Sequence, residues 1–192
     1  MTLHPVRSEK DSATLRTGGV YVALGSNTAF EINKDHHLEG AGLFRSVLHE
    51  LKRFDVQTLS TSNVWSSPAW PDPTQDEFKN AVVELDPGRR SAQDLMLLLH
   101  QLEEKFGRTR SKRWSSRTLD LDLIDFRGQV IVEEDADGLV CPHLRAHERA
   151  FVLAPLAEIA PDWTHPVLLL SIVELLQRAQ KEWPAKKGEV LI

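Results

Sequence analysis

Thr118-Leu119-Asp120-Leu121-Asp122-Leu123-Ile124-Asp125-Phe126 is the stretch that decides the reading of this chain. Leu119, Leu121 and Leu123 alternate with Asp120, Asp122 and Ile124, the period-two pattern of a strand with one face turned to a core. On a strand rising ~3.3 Å per residue, Asp120 and Asp122 share a face with their Cα atoms roughly 6 to 7 Å apart. Immediately upstream, Arg108, Arg110, Lys112, Arg113 and Arg117 crowd into ten residues that hold no acid. Each cluster repels itself, so keeping both points to ligands that neutralise them. Paired carboxylates suit magnesium, which bridges acidic side chains to phosphates, and guanidinium forks match phosphate oxygens. Together they read as a polyphosphate site.

Working outward, Val20 to Leu24 reads as a buried strand closed by Gly25-Ser26-Asn27, and Leu43, Phe44, Val47, Leu48 and Leu51 recur at helical spacing within Leu38 to Phe54. Val56 to Trp65 and Phe78 to Leu85 predict two further strands. The connection between them, Ser66 to Glu77, carries Pro68, Pro71, Pro73 and Trp70, and its length marks it as a candidate lid. Ser91 is placed as an N-cap for a helix whose stripe is Leu95, Leu98, Leu99, Leu102 and Phe106, stopped by Gly107. The order β-α-β-β-α-β predicts an α+β, ferredoxin-like core, followed by a short hairpin around Gly128 to Val132 and a C-terminal helical extension that includes Ser171 to Glu182. We expect a flexible tail at residues 1–17, one domain at 18–182 and a C-terminal tail at 183–192.

Composition sets the outer limits. The 192 residues are 41% hydrophobic and 27% charged, ordinary for a globular protein, and the net charge of −5 does not suggest a bulk-basic nucleic-acid binder. Cys141 is the lone cysteine, which excludes an internal disulfide and fits a reducing cytoplasm. The most apolar stretch, Val167 to Leu176, is too short to span a bilayer and is interrupted by Ser171 and Glu174, so no membrane partner is expected. His143, His147 and Glu148 superficially offer metal-ligand spacing, but the H-E-x-x-H order is absent and no third ligand is evident, which disfavours zinc; His143 can instead donate to phosphate. Trp70, Phe78, Asn80, Trp114 and Phe151 lie near loop ends. Most such groups are simply core packing, and core is the favoured reading for Phe151, yet flat rings and a side-chain amide are also what a planar heterocycle needs.

Several motifs make the resemblance specific: Leu24-Gly25-Ser26-Asn27, Asp76-Glu77-Phe78-Lys79-Asn80-Ala81, Gly107-Arg108-Thr109-Arg110, Arg113-Trp114, Arg117-Thr118-Leu119-Asp120-Leu121-Asp122, Pro142-His143 and Arg149-Ala150-Phe151-Val152-Leu153. Over roughly Gly19 to Leu176 the chain resembles the 6-hydroxymethyl-7,8-dihydropterin pyrophosphokinases of folate biosynthesis. That resemblance implies a ferredoxin-like fold and transfer of the β,γ-pyrophosphoryl unit of ATP to the hydroxymethyl oxygen of the pterin, releasing AMP, with two Mg2+ ions held by Asp120 and Asp122. It implies catalytic roles for Arg108, Arg110, Arg113 and Trp114 beside the two aspartates. ATP contacts are implied for Glu103, Arg108, Arg110, Arg113, Arg117, Leu123, His143 and Arg149. Pterin contacts are implied for Ser67, Pro68, Trp70, Phe78, Asn80, Trp114 and Phe151, with Phe78 and Phe151 sandwiching the ring. A monomer is the family default. A ferredoxin-like RNA-binding module is the competing reading, but the aromatic run of an RNP1 strand is missing and acids occupy the strand after the arginines.

Overall fold

In the computed structural model, residues 18–69, 74–107, 118–133, 138–180 and 185–192 are described. The elements in chain order are β1 (Val20–Ser26), β2 (Phe30–Asn33), β3 (His36–Leu38), α1 (Gly40–Arg53), β4 (Gln57–Thr61), β5 (Trp65–Ser67), β6 (Phe78–Asp86), α2 (Ala92–Lys105) and β7 (Asp120–Phe126). They continue with β8 (Ile131–Val132), β9 (Val140–Cys141), a 3-10 turn (Ala146–Glu148), α3 (Ala150–Ile159), α4 (Ile172–Ala179) and β10 (Lys186–Lys187). The main sheet has the order β10-β5-β6-β1-β7, with β4 also paired to β6. Every pairing in it is antiparallel.

The apolar run of β1 explains its central place. Val20, Val22 and Leu24 pack into a core shared with α1 and α2, while Tyr21 and Ala23 pack into a second core shared with α3 and α4. A strand covered on both faces has no need of polar alternation. α1 buries Leu43, Phe44, Val47, Leu48 and Leu51, the residues its helical spacing singled out. Capping boxes start α2 and α4: Ser91 pairs with Asp94, and Ser171 with Glu174. No helix among the described residues is long and apolar enough to cross a membrane.

A register shift in the β1–β7 ladder carries consequences for the site. Tyr21 pairs with Asp125 and Val22 with Leu123, so Ile124 is an extra residue on β7. Such a bulge re-aims the next side chain. Asp125 turns toward the second core, where its Oδ2 accepts a hydrogen bond from Trp163 Nε1 at 2.7 Å and its Oδ1 one from Gly128 N at 2.8 Å. Simple alternation would have put Asp125 with Leu121 and Leu123.

Three expectations are corrected in detail, and one element is added. The strand expected over Val56 to Trp65 is two strands, because Ser62 bonds Val82 through both its N–H and its Oγ and Asn63 is captured by Glu158, which bends the chain between them. The loop expected from Ser66 gives up its first two residues to β5, since Ser66 and Ser67 pair with Lys79 and Phe78, and its residues 70–73 lie outside those described. The hairpin of β2 and β3 carried no sequence pattern; Phe30 anchors it by an edge-on contact with Phe106, ring centres 5.3 Å apart. Finally, of the C-terminal tail that the sequence predicts at 183–192, residues 185–192 bind the sheet. Lys186 and Lys187 pair with Ser66 and Trp65, Val64 exchanges hydrogen bonds with Gly188 and Glu189, and Leu191 is fully buried in the first core.

Candidate active site

A cavity of about 650 Å³ opens where the C-terminal half of β1, the start of β6, the start of β7 and the N-terminus of α3 converge. Its lining includes Gly25, Ser67, Pro68, Phe78, Asn80, Asp120, Asp122, Arg149 and Phe151. These come from five separate segments of sequence. Gly25 lies between Asn80 and Asp120 in the sheet register, and a Cβ there would stand 3.7 Å from Asn80 Oδ1 and 3.7 Å from the Asp120 Cβ. The missing side chain keeps the floor between the two neighbours low.

On one wall, Asp120 and Asp122 project on the side of β7 opposite Leu121 and Leu123, which enter the first core. The Asp122 Oδ2 lies 3.3 Å from Arg149 Nη1 and 3.7 Å from His143 Nε2. Burial holds the His143 imidazole below its ordinary pKa; Arg149 acts in the same direction, against the attraction of Asp122 and Asp120. His143 N–H donates to Ile124 O, and its Nδ1 accepts from Arg145 N, so the ring is fixed behind Asp122 and does not itself line the cavity. Two half-buried carboxylates side by side form the hard-oxygen donor set that Mg2+ takes when phosphate and water complete its shell, so these residues fit that ion. No group of three or more His, Cys, Asp or Glu side chains gathers at one point among the described residues.

The other wall is the one suited to a flat polar ring. Asn80 and Ser67 are both buried, and Asn80 Nδ2 donates to Ser67 Oγ at 3.0 Å and to Phe78 O at 3.3 Å. This orients the Asn80 amide from β6 with a hydroxyl from β5. Phe78 and Phe151 are half-buried on the lining, and the Arg149 guanidinium lies 5.8 Å from the centre of the Phe151 ring.

Not every expected residue is brought together. Glu103, 3% exposed on α2, does not line the cavity; its Oε1 accepts the Leu121 N–H at 2.7 Å. Leu123 is buried in the first core and its side chain is likewise away from the cavity. Arg108, Arg110, Arg113, Trp114, Arg117 and Trp70 lie outside the described residues. The sequence reading missed Gln75, Arg145, Leu168, Leu175 and Arg178, all on the lining. Arg145 had a legible cue, the cationic run around His143 to Arg149; the face of α4 that carries Leu175 and Arg178 had none.

Comparison with known proteins gives this geometry its family. A family model for 7,8-dihydro-6-hydroxymethylpterin-pyrophosphokinase (HPPK) matches residues 21–161. The chain is similar to proteins named 2-amino-4-hydroxy-6-hydroxymethyldihydropteridine pyrophosphokinase. The Synechocystis relative is 41% identical over 172 residues, covering 88% of this chain and 82% of its own. The Methylorubrum extorquens relative is 37% identical over 142 residues, covering 74% and 82%. The Bacillus subtilis relative is 33% identical over 168 residues, covering 88% and 92%. Among solved structures, a Plasmodium falciparum HPPK-DHPS chain superposes with a TM-score of 0.64 at 12% identity over 85% of this chain, a likeness of fold. The present chain spans 42% of that longer one. With its aspartate pair, buried amide and two rings gathered at one cavity, the chain belongs to the 7,8-dihydro-6-hydroxymethylpterin-pyrophosphokinase family.

Proposed function

We propose that the protein transfers the β,γ-pyrophosphoryl unit of ATP to the hydroxymethyl oxygen of 6-hydroxymethyl-7,8-dihydropterin, a step of folate biosynthesis, and releases AMP. The observation that carries the reading is the pairing in one cavity of Asp120 and Asp122 with the Ser67–Asn80 bond and the Phe78 and Phe151 rings, in a chain of this family. Acids on one side and an amide with flat rings on the other suit two substrates of opposite chemistry, an anionic triphosphate and a planar heterocycle.

In this reading Asp120 and Asp122 hold two Mg2+ ions. Held there, the ions would supply charge neutralisation for the transferring phosphoryl group. Arg149 turns from Asp122 toward the phosphates, and His143, fixed behind Asp122, serves the nucleotide side through that carboxylate. Asn80 pairs with the polar edge of the pterin while Phe78 and Phe151 sandwich its ring. Arg108, Arg110, Arg113 and Arg117 clamp the phosphates, Trp114 covers the pterin, and Pro68 and Trp70 contact it from the first loop. Glu103 serves the nucleotide side by holding Leu121 and with it the strand of the aspartates.

The core order β7-β1-β6-β4 supports the ferredoxin-like reading. The catalytic unit begins at residue 18, takes in the C-terminal segment 185–192 that pairs with the sheet, and works as a cytoplasmic monomer on its two small substrates, with no nucleic-acid partner. Family membership leaves the RNA-binding alternative without support.

Incubation with ATP, Mg2+ and the reduced hydroxymethylpterin is expected to yield AMP and the pterin diphosphate in equal amounts. Formation of ADP, or no product with Mg2+ present, overturns the assignment.

A further inference from the structure

The segment Arg145 to Arg149 forms part of the cavity wall through Arg145, His147, Glu148 and Arg149. Its C-terminal end is tied to β7 by the bridge between Arg149 Nη1 and Asp122 Oδ2. A guanidinium that turns to phosphate gives up that tie, and the wall then needs another hold. The bulge at Ile124 supplies one. Asp125, 1% exposed, accepts the Trp163 Nε1 hydrogen at 2.7 Å. The Trp163 ring meets His165 edge-on with centres 5.6 Å apart, and His165 meets His147 in the same way at 5.6 Å. His165, 4% exposed, is itself locked: its Nδ1 accepts from Val167 N and Leu168 N, each at 3.2 Å, while its backbone N–H donates to Leu170 O.

We infer that Asp125, Trp163 and His165 are positioning residues for the nucleotide side of the cavity, holding the Arg145 to Arg149 segment against β7 through His147 once Arg149 leaves Asp122. Both tethers start on β7, three residues apart, so the strand that carries the aspartates also sets the wall beside them. Of the chain Asp125–Trp163–His165–His147, only His147 lines the cavity. Fixing a wall by buried contacts lowers the ordering cost of binding, and loss of comparable supports around ligand groups costs roughly 10- to 100-fold in affinity. This inference rests on the assignment of the Asp120–Asp122 side to ATP.

The test is titration calorimetry of the full chain with a non-hydrolysable ATP analogue in Mg2+ and, separately, with the hydroxymethylpterin, alongside thermal unfolding. Trp163→Phe keeps the packed ring and removes the hydrogen-bond donor. His165→Asn keeps an acceptor for the Val167 and Leu168 N–H groups and removes the ring between Trp163 and His147. Each is expected to weaken the ATP analogue about tenfold while pterin affinity stays within about twofold. If one variant fails to fold, the other decides. A folded variant that binds both ligands as the wild type does, with only a lower Tm, overturns the inference, because a purely structural role predicts that result. Equal weakening of both ligands overturns it too. A wild-type chain that takes up no ATP analogue at all instead defeats the functional assignment beneath it.

Discussion

Glu103 on α2 accepts the backbone N–H of Leu121 at 2.7 Å, and this bond secures the outer edge of β7 midway between Asp120 and Asp122. Among the described residues β7 ends the sheet, and on its outer side a buried carboxylate takes the place of a strand partner at Leu121. Glu103→Ala leaves the N–H buried and unpaired, at a cost of about 1–3 kcal/mol. For a chain of this size that is a fall in Tm of roughly 2–4 °C for each kcal/mol. Thermal unfolding measures it, and Glu103→Gln, which keeps an acceptor oxygen, is expected to recover most of the loss.

Asp120→Asn and Asp122→Asn should each reduce turnover by more than about a hundredfold, since direct ligands matter more than the outer contacts whose loss costs 10- to 100-fold. Neither change should lower Tm by more than a few degrees, because both carboxylates are half-buried on the cavity wall. Steady-state AMP release with a Mg2+ titration checks this; wild-type rates in either variant would remove the proposed cation role.

Leu191→Ala should destabilise the protein by about 2–5 kcal/mol, the range for emptying a fully buried leucine site. Gly188→Ala should also destabilise, because a Cβ at that position would stand 2.8 Å from the Val64 carbonyl oxygen, and that oxygen belongs to backbone. Lys187→Ala is the contrast. Its bridge to Glu158 is made by a half-exposed ammonium, so the loss should stay below about 1 kcal/mol. Urea unfolding of the three variants orders them.

Burial raises the pKa of Asp125 despite the opposing hydrogen bonds from Trp163, Gly128 and Phe126. With the folded value above the unfolded one, the folded state binds the extra proton between the two, so this group's contribution to stability falls as pH rises through that window. Below about pH 3.9, where unfolded aspartate also protonates, its slope vanishes. The wild type minus Asp125→Asn difference in unfolding free energy is therefore expected to shrink as pH rises above that point. A difference that grows with pH contradicts the raised value; unfolding curves across a pH series decide.

How much of this was legible beforehand varies by residue. Asp120 and Asp122 were placed correctly because alternation is a local property, and Leu43 to Leu51 because helical spacing is another. Asp125 was not legible: its direction depends on Ile124 being one residue too many for β1, a mismatch that exists only once two strands pair. Arg178 and Leu168 reached the cavity wall for the same kind of reason, through packing rather than pattern.

Sequence alone settled the alternating aspartates and the two long amphipathic helices, since each is written in spacing along one segment. Tertiary structure decided which of those residues meet. It bound 185–192 into the sheet, set Glu103 under β7 and closed the tie from Asp125 to His147. These contacts join segments far apart in the chain, and their geometry follows from sheet register and side-chain packing, which no single stretch of sequence contains.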